Sequence, residues 1–250
     1  MEVHHHPQVE KKNLKEYFLE FLMIFLAVTM GFFAESIREH LADSSKEKQY
    51  IKSMIADLKN DTAMLKEVID KNIKRVSGID TLSSLLNKTS LTVDDEKRIY
   101  ILNSRYASNM ASMVWNDGTI RQLLTSGNLR LMSEQGASDS IMNYYGPHKD
   151  VASEQADILF EAVKRAYFAA EDIFDRSFIK QQMNKDSSFS RKPLPDTMEL
   201  LTKEKTALKK YSQMALTTQG LINNYLSMLF DMYKRAENLL LFLQAKYDIK

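Results

Sequence analysis

The chain has 250 residues, 44% hydrophobic and 27% charged, with seven glycines, four prolines and no cysteine. That composition is globular rather than disordered or collagenous, and suits one domain of about two hundred residues with an appendage. Thirty-four Lys and Arg against thirty-three Asp and Glu leave a formal charge of +1, so no global field recruits nucleic acid.

Without cysteine the chain has no disulfide, no thiolate nucleophile and no Cys-based zinc site. The compartment stays open, because a cysteine-free chain suits oxidising and reducing surroundings alike. Few glycines and prolines, together with 14 Met, point to long helices.

Residues 1–13 read as a polar tail and 14–37 as a transmembrane helix. Phe21 to Ala34 carries no formal charge, and stepping back over Glu20 to Tyr17 gives eighteen residues. At 1.5 Å per residue these span about 27 Å, close to the hydrocarbon thickness of a bilayer. Phe21, Leu22, Ile24, Phe25, Leu26, Val28, Phe32 and Phe33 are the expected anchor. Lys11, Lys12 and Lys15 precede the run, and Glu35, Arg38, Glu39 and His40 follow it. A buried core helix is the plain alternative. A cleaved signal peptide fits less well, because Phe32 stands three residues before a cut after Ala34, where a small side chain is expected.

The lysines ahead of the run favour a cytoplasmic N-terminus in a bacterial inner membrane, with the remainder periplasmic. Lys46, Lys48 and Lys52 pull the other way. Glu20 is read as an interfacial residue snorkelling outward, the alternative being a polar contact with a partner helix.

The block HHHPQVEKKNLKEYFLEFLMIFLAVTMGFFAESIREH, followed by KEKQYIKSMIADLKND, resembles an uncharacterised family of bacterial membrane-anchored proteins. TIRQLLTSGNLRLM followed by IMNYY is similar to a second signature of that family. The resemblance covers under half the chain. It implies one N-terminal membrane helix and a helical remainder, and brings no activity, cofactor or catalytic residue.

No glycine or proline interrupts the chain between Gly31 and Gly78. Ile51, Leu58, Leu65 and Ile79 recur at sevens with Asn72 in the gap, and Ile55, Ile69 and Val76 lie alongside, predicting an amphipathic helix. It is expected to continue from the membrane helix, although Ser44 and Glu47 offer a capping box that would restart it near Asp43–Ser45. Thr92 and Asp95 cap a second helix through Ile99, Leu102 and Tyr106. Asn116-Asp117-Gly118 marks a turn, and a short helix carrying Ile120, Leu123 and Leu124 stops at Ser126-Gly127. Leu129–Met132 and Ile141–Tyr145 are short apolar pieces before the break at Gly146-Pro147.

From Ala152 to Ile179 a long helix is expected to bury Phe160, Val163, Tyr167, Ala170, Phe174 and Phe178. Residues 181–195 read as a flexible loop. Asp196 with Glu199 caps the last helix, which presents Tyr225, Leu229, Tyr233, Ala236, Leu240 and Leu243, with a soft joint at Gly220. Nothing alternates with strand period. The expected fold is all-α: a single membrane helix leading into an elongated antiparallel bundle over residues 38–250.

Motifs for nucleotide, acyl-transfer and zinc chemistry are missing, and the Glu-x-x-His spacing of Glu2 and His5 lies in the polar tail rather than on a bundle helix. His4, His5 and His6 point in different directions on a tail and read as no metal site. Asp57 and Asp61 stand four apart and read as solvated charges rather than an acid–base pair. Lys203, Lys205, Lys209 and Lys210 lack stacking aromatics, so no nucleic-acid site is expected. The candidate binding site is Trp115, Arg121, Arg130, Tyr144 and Tyr145, in which arginines would hold a carboxylate beside aromatic walls. The plain alternative is core aromatics with locally paired arginines.

The sequence reading is therefore not an enzyme and has no cofactor. It is a membrane-anchored helical protein that meets the lipid bilayer and a protein partner or a second copy of itself, as an accessory subunit. The alternative is a ligand-sensing ectodomain working with a separate transducer. A hydrolase or lipid-modifying enzyme with scattered residues is a third reading.

Overall fold

The structure, a computed structural model, describes residues 13–175, 177 and 198–249. The expected tail with its three histidines, the loop 181–195, Asp196 and Phe178 lie outside the described residues. Those described are all-α, with no strand among them. They comprise α1 (Leu14–Leu86), α2 (Val93–Leu102), α3 (Gly118–Thr125), α4 (Ala137–Tyr145), α5 (Pro147–Ala169) and α6 (Lys205–Tyr247). The chain divides into two compact units, residues 1–50 and 51–250.

In the first unit, α1 starts where the Glu16 carboxylate reaches back to the Asn13 amide at 3.1 Å, half of a capping box. An 18-residue window has mean hydropathy 2.0, and none of it is buried. Apolar side chains face outward all round: Phe25 is 54% exposed and Phe32 73%. This apolar, exposed helix is compatible with a single membrane span or a signal sequence. Helix continues through Asp43, Ser44 and Ser45. The restart at Ser44 does not occur, since an amide already bonded four residues back leaves a capping side chain nothing to serve.

In the second unit, Ile51, Leu58, Leu65, Asn72 and Ile79 are all fully buried. A parallel strip three residues on, Met54, Asp61, Val68, Arg75 and Leu82, is buried too. Each buried leucine or isoleucine contributes about 1.5–3 kcal/mol by leaving water. Two charged residues, Asp61 and Arg75, and the polar Asn72 therefore occupy core positions of a mostly apolar seam.

That seam faces α6. The Ser83 and Ser212 hydroxyls share a hydrogen bond at 2.8 Å, and the Gln219 amide donates to the Val76 carbonyl at 2.9 Å and to Asp80 at 2.6 Å. Residue numbers rise along one helix as they fall along the other, so the pair is antiparallel. The α5 helix also lies antiparallel to α6, with Gln155 donating to the Leu221 carbonyl at 3.3 Å and Ala170 and Phe174 meeting Leu208 and Tyr211 in one cluster. Its buried apolar face is Ala152, Leu159, Ala162, Val163 and Ala166, with Ala170 buried just beyond its end.

The expected α5 stripe is only partly internal: Phe160 and Tyr167 stand outside at 52% and 42% exposure. Alanines let two helices approach closely, so the small face wins the contact and the aromatics are displaced to its flank. The helix also ends earlier than expected, at Ala169, in a single 3-10 turn.

Thr92 and Asp95 form a reciprocal capping box at the start of α2. Beyond α2 the chain makes a single π-helical turn, Asn103–Ala107. The ring of Tyr106 there lies on Gly78 of α1; a Cβ at Gly78 would sit 2.1 Å from the Tyr106 Cδ2. After this turn, residues 109–117 run as irregular chain along α1. Gly127, at φ +68, closes α3 in the left-handed conformation.

The last helix begins at Lys205, and Glu199 does not cap it. Residues 198–201 are held open instead. The Leu200 amide donates to Glu96 at 2.8 Å, the Tyr100 hydroxyl to the Glu199 carbonyl at 2.9 Å, and the Leu201 amide to the Ile173 carbonyl at 2.9 Å.

Candidate functional site

Asp61 lies where α1, α4 and the irregular chain of residues 109–117, the crossing chain, meet through polar contacts. It is fully buried. One carboxylate oxygen accepts from the Asn116 backbone amide at 3.0 Å and from its side-chain amide at 2.7 Å. The other accepts from the Tyr144 hydroxyl at 2.8 Å. Tyr144 is held edge-on between Trp115, 6.4 Å away, and Tyr145, 4.7 Å away. The Trp115 indole donates to the Ser153 hydroxyl at 3.2 Å.

Lys149, at the start of α5, is nearly buried and lies 5.9 Å from the centres of both the Trp115 and Tyr145 rings. Its ammonium is paired with Asp117. Arg121 reaches the second oxygen of Asp117 at 3.5 Å from the exposed side.

Burial pushes the Asp61 carboxyl above its ordinary range, with Asp117 adding to the push while the donors from Asn116 and Tyr144 pull it back. Burial, then the Asp61 charge, drives the Tyr144 hydroxyl upward. Tyr145 is raised by the same two causes, with Asp57 contributing. Both tyrosines are therefore neutral at any ordinary pH, and Tyr144 is a donor. The Tyr145 hydroxyl and one Asp57 oxygen are nevertheless buried without a hydrogen-bond partner.

Chemically this cluster holds the chain together. Its carboxylate and hydroxyl are committed to each other, and the aromatic rings are packed rather than presented. Open space lies on either side. A cleft of about 360 Å³ is bordered by Trp115, Ser153, Asp157, Phe160 and Tyr225, and another of about 460 Å³ by Tyr144, Asn143, Asp231, Lys234 and Arg235.

Of the five residues singled out from sequence, Trp115, Tyr144 and Tyr145 come together around Asp61. Arg121 touches the cluster only through Asp117. Arg130 stands exposed on the 3-10 turn Asn128–Leu131. The reading of Asp57 and Asp61 as solvated charges is corrected. Asp61 falls three residues after Leu58 and four before Leu65, which places it on the buried face. That spacing was the available signal. Among the described residues no group of three or more His, Asp or Glu is arranged to hold a metal.

Comparison with protein-family models, curated proteins and solved structures finds no match to the chain.

Proposed function

We propose that this chain is a membrane-anchored helical protein of the bacterial inner membrane that works by binding another protein, as a non-enzymatic accessory subunit. The observation carrying the reading is the apolar window of α1, hydropathic enough to enter a bilayer and without any side chain buried in the fold. Leaving so many aromatic and aliphatic side chains in water is unfavourable at about 25 cal/mol per Å². A bilayer removes that cost. Polar residues bracket the window, and the N-terminal block is the one that resembles bacterial membrane-anchored proteins.

Support for a protein partner comes from α5, where Phe160 and Tyr167 lie one heptad apart on a solvent-facing strip. The preceding lysines favour a cytoplasmic N-terminus with the second unit periplasmic.

Alkaline carbonate extraction tests the anchor: the chain stays in the membrane pellet with its N-terminal residues intact. Release of a shortened chain would identify a signal sequence instead. The cysteine-free background makes topology direct, because Ser227→Cys on the exposed face of α6 gives one labelling site. A membrane-impermeant maleimide labels it in intact spheroplasts; labelling only after lysis reverses the orientation. Purification in mild detergent with neither a partner nor a homo-oligomer would sink the interaction reading.

A further inference from the structure

Asp61 and Arg75 are the two buried charges of the α1 seam, and they are not equally satisfied. Arg75 is 3% exposed. Its Nε donates to the Tyr106 carbonyl at 3.2 Å and its Nη1 to Asn72 at 2.9 Å, while its Nη2 is buried with no hydrogen-bond partner. Asn72 in turn donates to the Ala111 carbonyl at 2.9 Å. Nothing in this arrangement neutralises the guanidinium. Burial, with no carboxylate opposing it, pulls its pKa down to about 10, which leaves it a cation at neutral pH.

Arg75 borders a cleft of about 500 Å³ between α1, the π turn and the crossing chain. Every charged side chain lining it is basic: Lys71, Lys74, Arg75 and Arg105. Lys71 is engaged by Glu67 at 2.5 Å. Lys74 and Arg105 are exposed at the mouth, and Asn109 and Ser112 add polar groups to the wall. A buried charge without a partner is strongly unfavourable, and a cleft of one sign concentrates the opposite ion.

We propose that this cleft is a binding site for an oxyanion of the phosphate class, with Arg75 as its fixed cation and Lys74 and Arg105 closing on the bound charge. Arg75 has spent its Nε proton and one Nη1 proton on the fold, so the side-on fork through Nε is taken and Nη2 is the nitrogen with no bond of its own. A fixed guanidinium with the cations of Lys74 and Arg105 coming from other directions suits a tetrahedral group carrying close to two charges. The bound group is either a free phosphate or pyrophosphate, or the headgroup of an acidic lipid. This inference stands independently of the partner reading.

The test is isothermal titration of the full chain in neutral-lipid nanodiscs with pyrophosphate, with short-chain phosphatidic acid, and with malonate as a dicarboxylate control. Saturable binding of pyrophosphate supports a free phosphate, and binding of phosphatidic acid alone supports a lipid headgroup. Lys74→Glu with Arg105→Glu, both at exposed positions, weakens binding by at least about tenfold while the helical spectrum is unchanged. Arg75→Lys, which keeps the charge and loses the fixed planar group, also weakens it. The proposal is overturned if neither phosphate probe binds at millimolar concentration, if the exposed double variant binds as wild type does, or if malonate binds as tightly as pyrophosphate.

Discussion

At the scale of single residues, Asp61 decides how the second unit closes. Replacing it with alanine strands the Tyr144 hydroxyl and both Asn116 donors, and the expected loss is about 3 kcal/mol of unfolding free energy, read from urea denaturation. Tyr144→Phe removes one of the three bonds and costs about 2 kcal/mol. The pH dependence has a definite sign. Because burial raises the folded carboxyl of Asp61 above its unfolded value, the fold binds this proton more tightly. The stability it contributes is full below the unfolded pKa and is lost as pH rises through the folded one. Comparing wild type with Asp61→Asn should therefore show the balance moving toward the variant between acid and neutral pH; an unchanged difference would contradict the assignment. Asp95 has the opposite sign. Lys88 at 2.7 Å holds it low, so its contribution is present at neutral pH and lost in acid.

The aromatic members of the site were legible because Trp115, Tyr144 and Tyr145 stand among short helices and turns. Asp61 was not, since an acidic residue four from another reads as a wet surface unless the heptad is followed through it. Arg130 could not be placed at all from sequence: whether an arginine on a short turn faces inward depends on neighbours remote in the chain.

At the scale of elements, two glycines in long helices separate by what surrounds them. Gly78 lies under the Tyr106 ring, including its Cγ, which cannot swing away without moving the π turn. Gly78→Ala should destabilise by about 1–3 kcal/mol despite better helix propensity. Gly220, the suspected soft joint of α6, has nothing within 4 Å of a new Cβ. Gly220→Ala should stabilise by about 0.5–1 kcal/mol. Thermal denaturation of the two variants reads both signs. The long helices and the caps at Thr92 and Gly127 were visible in the sequence, because propensity and capping are local. The buried face of α5 was not, because Phe160 and Tyr167 dominate any hydropathy pattern while close packing favoured Ala152, Ala162 and Ala166.

At the scale of the whole molecule, the two units make different demands on solvent. The first offers apolar side chains in every direction, and the second keeps its apolar residues in seams and leaves a few aromatics out. If α5 meets a protein, Phe160→Glu with Tyr167→Glu should abolish partner copurification or self-association while changing stability by no more than about 0.5 kcal/mol, as for other exposed positions. Retained assembly would move the contact elsewhere on the unit. The contact boundary falls between Tyr50 and Ile51, not at the end of the apolar run. Hydropathy marks where a membrane would stop; it does not mark where a helix acquires neighbours.

Trp115 is the sole tryptophan of the chain, and it sits against Tyr144 with its indole nitrogen on Ser153. Its emission therefore reports on one small region, the junction of crossing chain, α4 and α5, without contributions from elsewhere. Since there is also no native thiol, a single cysteine carrying an acceptor dye can be added at any exposed site to turn that indole into one end of a molecular ruler. A chain with so little visible chemistry is, for this reason, unusually easy to watch.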